Sequence, residues 1–189
     1  MRISGGSAKG RKVIFKKAFL RKGSTEELRP TSAKVREAIF NILGNRISNS
    51  RFLDLYAGTG AVGLEALSRG SAEAVFVDIS SHRVKLIEEL ATKFGFQNHA
   101  VVMHMDVLTF VEQNEKPFDI IFIDPPYASG QIEIVLPLLD SNEILMSEGI
   151  ILVEHAKKAL MPERLKRSVL KKCYNYGDTS LSLYRKELI

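Results

Sequence analysis

The chain has 189 residues and a net charge of +5, with 45% hydrophobic and 26% charged residues, a composition typical of one globular domain. It contains no run of about 18 apolar residues and begins without the apolar core of a signal peptide, so we expect neither a membrane-spanning helix nor secretion. Cys173 is the only cysteine, which excludes an internal disulfide and favours a cytoplasmic location.

Positive charge is concentrated near the N-terminus. Residues 1–46 contain 12 Lys and Arg against 3 Asp and Glu, whereas the remaining residues contain 15 against 19. Because residues 12–20 have strand character between glycine-rich turns, we predict a basic hairpin or arm at 1–30 and a main domain at 31–189. A basic arm favours a polyanionic partner, although a solvated, mobile tail explains the charge about as well.

The rest of the chain alternates between helical and strand patterns. A first helix is predicted at 30–44, with Thr31 or Ser32 as its cap. Strands are predicted at 51–56, 72–78, 100–106, 118–124 and 149–156, and a closing β-hairpin at 169–187. Helices are predicted at 61–70, 80–95 and 131–140, in a short segment after 106, and near Pro162. Strands that alternate with helices indicate an α/β fold with a mostly parallel sheet and helices on both faces.

Chemically unusual residues follow the predicted strands, at ends that a parallel sheet brings to one edge. The first strand leads into a glycine loop, and the next four end at the acids Asp78, Asp106, Asp124 and Glu154. Helix capping is the simpler interpretation of Asp78 and Asp106, and Glu154 ranks low as a site residue. Two adjacent prolines follow Asp124 and cannot continue a central strand, so they indicate a function other than strand pairing.

The glycine loop, Gly58-x-Gly60-x-x-Gly63, is compatible with two classes of cofactor. Its spacing matches the nicotinamide dinucleotide fingerprint. Asp54, four residues before Gly58, would repel a pyrophosphate but attract the sulfonium and ammonium groups of S-adenosylmethionine. Asp54 can also serve a structural role by accepting hydrogen bonds from the amides of the loop.

Three segments resemble the motif series of class I S-adenosylmethionine-dependent amino-methyltransferases: DLYAGTG at 54–60, VFVD at 75–78 and FIDPPY at 122–127. Three others are similar to bacterial 16S ribosomal RNA guanine-N2 methyltransferases: MRISGGSAKGRKV at 1–13, LRPTSAKVREAIFNIL at 28–43 and GLEALSRG at 63–70. The resemblance extends from Met1 to about Glu154. It implies a Rossmann-like fold with a seven-stranded sheet, a C-terminal antiparallel hairpin and S-adenosylmethionine as the cofactor.

The resemblance also implies roles for individual residues. The Asp124 carboxylate and the Pro125 carbonyl would accept hydrogen bonds from the exocyclic amine, and Tyr127 would stack on the base. The residues implied in cofactor binding are Thr31, Asp54, Ala57, Gly58, Thr59, Gly60, Asp78, Ile79, Asp106 and Val107. The residues implied in RNA binding are Arg2, Lys9, Arg11, Lys12 and Arg29. The four histidines lack metal-ligand spacing, so we predict no metal.

The predicted activity is methylation of a guanine N2 amine in 16S ribosomal RNA. The expected partner is ribosomal RNA within a partly or fully assembled small subunit, and the expected state is a monomer with no membrane contact. Two other functions stay open, a DNA adenine-N6 methyltransferase and a non-catalytic RNA-binding assembly factor. A DNA enzyme usually needs an added target-recognition region, and an assembly factor would not need the glycine loop and the double-proline motif together.

Overall fold

The computed structural model describes residues 2–12, 31–126 and 129–187. Its strands are β1 (Arg51–Leu55), β2 (Glu73–Asp78), β3 (Ala100–His104), β4 (Phe118–Ile123), β5 (Leu145–Ala156), β6 (Ser168–Tyr176) and β7 (Thr179–Lys186). Its helices are α1 (Ala33–Leu43), α2 (Ala61–Ser68), α3 (Ser81–Phe94), α4 (Val107–Gln113) and α5 (Gln131–Ser141), and a short 3-10 helix (Gly44–Ile47) follows α1. Within these ranges, no helix is long and apolar enough to cross a membrane.

The strands form one sheet in the order β3-β2-β1-β4-β5-β7-β6. The first five strands in this order run parallel, and β7 pairs antiparallel with both β5 and β6. The chain moves outward from β1 to β3 and then returns to place β4 on the other side of β1. That reversal opens a crevice at the C-terminal ends of β1 and β4, where ligands bind in folds of this kind.

Both faces of the sheet are covered, as expected for a parallel sheet. Successive strand residues point to opposite faces, so Phe52 and Leu53 belong to different buried clusters. The cluster with Phe52 includes apolar side chains from α1, α2 and α3, and the cluster with Leu53 includes those from α4 and α5. The predicted α/β fold, with its C-terminal antiparallel hairpin, is therefore confirmed.

The described part of the N-terminal arm packs on α2. The side chain of Glu65 is fully buried and accepts hydrogen bonds from the amides of Ser4 and Gly5, at 2.9 and 2.8 Å. Ile3 is also fully buried, and Arg2 pairs with Lys12 in an isolated antiparallel bridge. Most of the predicted hairpin, residues 13–30, lies outside the described residues, so the domain division at residue 30 stays a prediction.

The predicted helix near Pro162 is wrong. The backbone amide of Leu165 donates to Ser168 instead, and that of Leu170 donates to Glu163, so this segment folds back on the start of β6. The Tyr184 hydroxyl donates to the carbonyl of Pro162 at 2.7 Å and ties the segment to β7. Contacts with the hairpin thus replace the local hydrogen bonds that a helix would have made.

Candidate active site

A cavity of about 850 Å³ lies at the C-terminal edge of the sheet. Its lining includes all the predicted cofactor residues except Gly60 and Val107, together with Asp124 and Pro125. Tyr127, the third predicted catalytic residue, lies outside the described residues. The structure therefore brings the glycine loop and the double-proline motif to one cavity, although they are more than sixty residues apart in sequence.

The glycine loop is shaped by backbone conformation and close packing. Gly58 and Gly60 have positive φ angles of 56° and 69°, a region that glycine adopts without strain. A Cβ on Gly63 would lie 2.2 Å from the ring of Phe76, so only glycine lets α2 approach β2 this closely. These constraints hold the loop amides at the cavity. Helix α2 begins directly after Gly60.

Asp54 anchors the glycine loop through a hydrogen bond to the amide of its last glycine. Its Oδ2 atom accepts a hydrogen bond of 2.8 Å from the amide of Gly63, and its side chain is almost fully buried. Burial raises the pKa of Asp54 well above its usual value, and the charges of Asp124 and Asp78 raise it further. The structural role that the sequence left open for Asp54 is therefore present in the fold.

Asp78 is held at the end of β2 by backbone donors. It accepts hydrogen bonds of 2.8 Å from the amides of both Gly58 and Ser80, and Arg83 lies 3.5 Å from its Oδ2 atom. The next residue, Ile79, is 69% exposed and lines the cavity as an apolar shelf. A carboxylate beside an exposed apolar side chain suits the ribose and the adenine ring of a nucleoside.

Asp106 caps α4, as the simpler sequence interpretation expected. Its Oδ1 atom accepts from the amides of Leu108 and Thr109, while the residue as a whole is exposed at the cavity. Val107 is buried in the second core cluster and does not line the cavity. Gly60 also does not line the cavity and packs against Ile87. Val107 and Gly60 therefore contribute to the packing around the site without contacting the cavity.

Asp124 and Pro125 lie beyond the glycine loop, at the end of β4. The hydroxyl of Thr31 donates to Oδ2 of Asp124 at 3.2 Å. Burial raises the pKa of Asp124 to about 7, and the hydrogen bond from Thr31 opposes that rise. Pro125 is buried, and Pro126 accepts from the amide of Ser129 in a turn at 3.2 Å. The pyrrolidine ring restricts the φ angle of Pro125, so its buried backbone has little freedom to move.

The charged side chains of the cavity wall are mostly acidic, and this observation tests its fit to a cofactor. Six acids line the cavity among the described residues: Asp54, Asp78, Asp106, Asp124, Glu154 and Asp178. Arg83 also lines it and is paired with Asp78. This environment would repel a dinucleotide pyrophosphate, whereas it attracts the sulfonium and ammonium groups of S-adenosylmethionine. The residues present therefore fit S-adenosylmethionine.

Sequence reasoning missed part of the cavity wall. Tyr176, Asp178 and Thr179 reach it because β7 pairs with β5 and places the turn of the C-terminal hairpin at this edge. Tyr56 and Gln131 also line it and are joined by a hydrogen bond of 3.0 Å. Local sequence patterns predict the hairpin but not the strand beside which it lies. The sequence therefore held no signal that Tyr176, Asp178 and Thr179 line the cavity.

The predicted RNA-binding residues of the described arm are exposed, namely Arg2, Lys9, Arg11 and Lys12. Arg11 also has a structural contact, since its Nη1 atom donates to the carbonyl of Phe94 at 3.0 Å, at the end of α3. Arg29 lies outside the described residues. The described ranges contain no group of three or more His, Cys, Asp or Glu residues that could hold a metal ion.

This fold and this cavity define a class I S-adenosylmethionine-dependent methyltransferase. The model of the family described as "Conserved hypothetical protein 95" matches residues 1–185. The chain belongs to that family, and its curated relatives identify the family as one of ribosomal RNA methyltransferases.

Two relatives and one solved structure illustrate the similarity. The Ribosomal RNA small subunit methyltransferase D of Escherichia coli (strain K12) is 35% identical over 189 residues, which cover 99% of this chain and 90% of that protein. The protein of the same name from Haemophilus influenzae is 34% identical over 160 residues, 83% of this chain and 79% of that protein. The solved structure of the Escherichia coli candidate methyltransferase yhhF is 32% identical, covers 100% of this chain and 99% of its own, and has a TM-score of 0.84. These similarities support S-adenosylmethionine as the cofactor, as the sequence predicted.

Proposed function

We propose that this protein transfers a methyl group from S-adenosylmethionine to the exocyclic N2 amine of a guanine in 16S ribosomal RNA of the small subunit. The observation that carries the proposal is the single cavity that holds most of the predicted cofactor residues together with Asp124 and Pro125. The relatives named as small-subunit ribosomal RNA methyltransferases support the RNA substrate. We expect a cytoplasmic monomer that acts on a partly or fully assembled subunit.

The residues at the end of β4 can activate the amine. The guanine N2 lone pair is delocalised into the ring, so the free amine is a poor nucleophile. When the Asp124 carboxylate and the Pro125 carbonyl accept its two N–H groups, the lone pair is localised and aimed. S-adenosylmethionine supplies an electrophilic methyl group. As the new N–C bond forms and the C–S bond breaks, one proton leaves the nitrogen, to Asp124 or to water.

A direct assay separates this activity from its rivals. The protein is incubated with labelled S-adenosylmethionine and with each of three acceptors: free ribosomal RNA, small subunits and DNA. The modified nucleoside is then identified by mass. N2-methylguanosine from RNA or subunits supports the proposal, whereas N6-methyladenine from DNA would replace it. RNA binding without any methyl transfer would indicate an assembly factor.

A further inference from the structure

Glu154 is a buried acid that the chemistry above does not use. Its side chain lines the cavity, the residue is only 5% exposed, and its Oε2 atom has no hydrogen-bond partner among the described residues. Leaving such an atom unpaired costs about 1–3 kcal/mol, so most buried polar groups in proteins are paired. An unpaired carboxyl group in the wall of a substrate cavity points to a bond made by the substrate.

Strand register places this group beside Asp124. Ile123, the last residue of β4, pairs with Val153 of β5, so Asp124, directly after β4, lies next to Glu154, the following residue of β5. The alternation along the strands carries both side chains to the same face of the sheet, from neighbouring strands that lie about 4.8 Å apart. Two hydrogen-bonding groups at this spacing can read adjacent atoms on one edge of a base.

The two acids differ in protonation. The pKa of Asp124 is raised to about 7, and the pKa of Glu154 is raised to about 9 by burial and by the nearby charge of Asp124. The other titratable groups in this part of the described wall are Asp54 on β1, and Tyr176 and Asp178 at the hairpin. With the proton on Glu154 and Asp124 ionised, Glu154 offers both a donor and an acceptor, and Asp124 offers an acceptor.

We propose that Glu154 determines specificity for the base, by donating a hydrogen bond to O6 of guanine and accepting one from its N1–H group. This inference rests on the proposed guanine-N2 activity. Along that edge guanine presents an acceptor at O6, then donors at N1 and N2. A neutral Glu154 beside an ionised Asp124 presents the complementary order of donor, acceptor and acceptor. Enzymes that act on an extruded base read this same edge.

The test compares guanine with 2-aminopurine, which keeps the N2 amine but lacks O6 and the N1 proton. Small-subunit RNA is assembled from two pieces, with either base at the position that the first assay finds methylated. The wild type should favour guanine in kcat/KM. Glu154→Ala should reduce that preference about 10- to 100-fold, the scale of one bidentate base contact. Glu154→Gln should retain it, because an amide also offers a donor and an acceptor.

Controls separate a lost contact from a damaged fold. Asp140 is also a buried acid with an unpaired oxygen, but it lies outside the cavity lining, so Asp140→Asn should leave the preference unchanged. Glu154→Met keeps the side-chain volume and should behave like Glu154→Ala, should the latter not fold. An unchanged preference in a folded Glu154→Ala or Glu154→Met variant would overturn this inference alone. Failure of the wild type to methylate guanine would instead overturn the proposed function.

Discussion

The hydroxyl of Thr31 donates a hydrogen bond to the Oδ2 atom of Asp124, with 3.2 Å between the two oxygens. Thr31 precedes Ser32, the N-cap of α1, and Asp124 directly follows β4, so the bond joins the entry to α1 with the proposed amine acceptor. A hydrogen-bond donor favours the ionised carboxylate, so this bond lowers the pKa of Asp124. Burial raises the same pKa, and its effect is the larger of the two. Thr31 therefore helps to keep the acceptor charged near neutral pH.

Replacing Thr31 should shift the pH dependence of methyl transfer. If ionised Asp124 is the active form, kcat/KM should rise with pH through about 7 in the wild type. Thr31→Val removes the donor, so the pKa of Asp124 rises and the acidic limb should move to higher pH. Thr31→Ser retains the hydroxyl and should preserve the limb. A profile measured between pH 5.5 and 8.5 gives the answer, and identical limbs for Val and Ser would show that the bond has no catalytic effect.

The Asp124 side chain itself is tested by two substitutions. Asp124→Ala removes the acceptor and should slow turnover by about 2–4 kcal/mol of transition-state stabilisation, the scale of one lost electrostatic contact. Asp124→Asn keeps an acceptor oxygen that does not titrate, so it should retain more activity and lose the acidic limb. Single-turnover rates measure the loss of activity. Cofactor titrations should show that S-adenosylmethionine binding is largely unchanged in both variants. An Ala variant with the wild-type rate would leave Asp124 with a structural role only.

The parts of the site that the sequence predicted are those encoded within short segments. The glycine loop and the acid at Asp78 occupy fixed positions around one strand–helix–strand unit, so local pattern placed them correctly at the C-terminal edge. Glu154 ranks low on sequence alone, because a single acid at the end of a strand carries no local signal. Its proposed role depends on the pairing of β5 with β4, which is a long-range property of the sheet.

The failed helix near Pro162 has the same physical origin. Pro162 and the following charged residues form a plausible helix start when they are considered alone. In the fold, the amides of Leu165 and Leu170 find partners near β6, and Tyr184 of β7 bonds to Pro162. Tertiary contacts thus decided a segment whose local preference was weak, whereas α3, with its long amphipathic pattern, was predicted almost to its ends.

Asp78 should be important for cofactor affinity. If its carboxylate accepts hydrogen bonds from the ribose hydroxyls, Asp78→Ala should weaken S-adenosylmethionine binding by about 1–3 kcal/mol in calorimetry. The same change also removes the partners of the Gly58 and Ser80 amides, which adds to the loss. Asp119→Asn is a matched control, because Asp119 accepts from the amide of Arg51 at the opposite edge of the sheet. Equal affinity in wild type and Asp78→Ala would exclude Asp78 from the cofactor site.

The elevated pKa of Glu154 predicts how stability depends on pH, without any substrate. The pKa is about 9 in the folded protein and close to 4.5 in the unfolded chain. Between these values the folded state holds a proton that the unfolded state has lost, so the Glu154 contribution to stability falls as pH rises, and it levels off above about pH 9. Glu154→Gln cannot ionise and should be free of this loss.

Thermal unfolding of the two proteins between pH 5 and 9.5 checks the sign. The melting temperature of Glu154→Gln should gain on that of the wild type as pH rises, and each 1 kcal/mol of difference should appear as about 2–4 °C. Asp140→Asn serves as the comparison, since Asp140 lies outside the cavity lining. A constant gap between Glu154→Gln and the wild type across the series would mean that Glu154 is already ionised in the folded protein.

The last prediction concerns the basic arm and its proposed contact with RNA. Lys9 and Lys12 are exposed, whereas Arg11 also bonds to the end of α3, so the two lysines are the cleaner targets. Contacts with phosphates release counterions, and each contact to single-stranded or irregular RNA contributes about −0.7 to the slope of log affinity against log salt. If both lysines touch phosphates, changing both to Gln should flatten that slope by about 1.4. KM for RNA should rise more than kcat falls, because such contacts act in the ground and transition states alike.

Lys116 and Lys166 provide a control of equal charge. Both are exposed and precede β4 and β6, two strands that run in the same direction, so both lie at the edge of the sheet opposite the cavity. If the control variant flattens the slope equally, the effect comes from net charge and not from specific contacts. An unchanged slope in the Lys9 and Lys12 variant would leave these residues without a role in RNA binding.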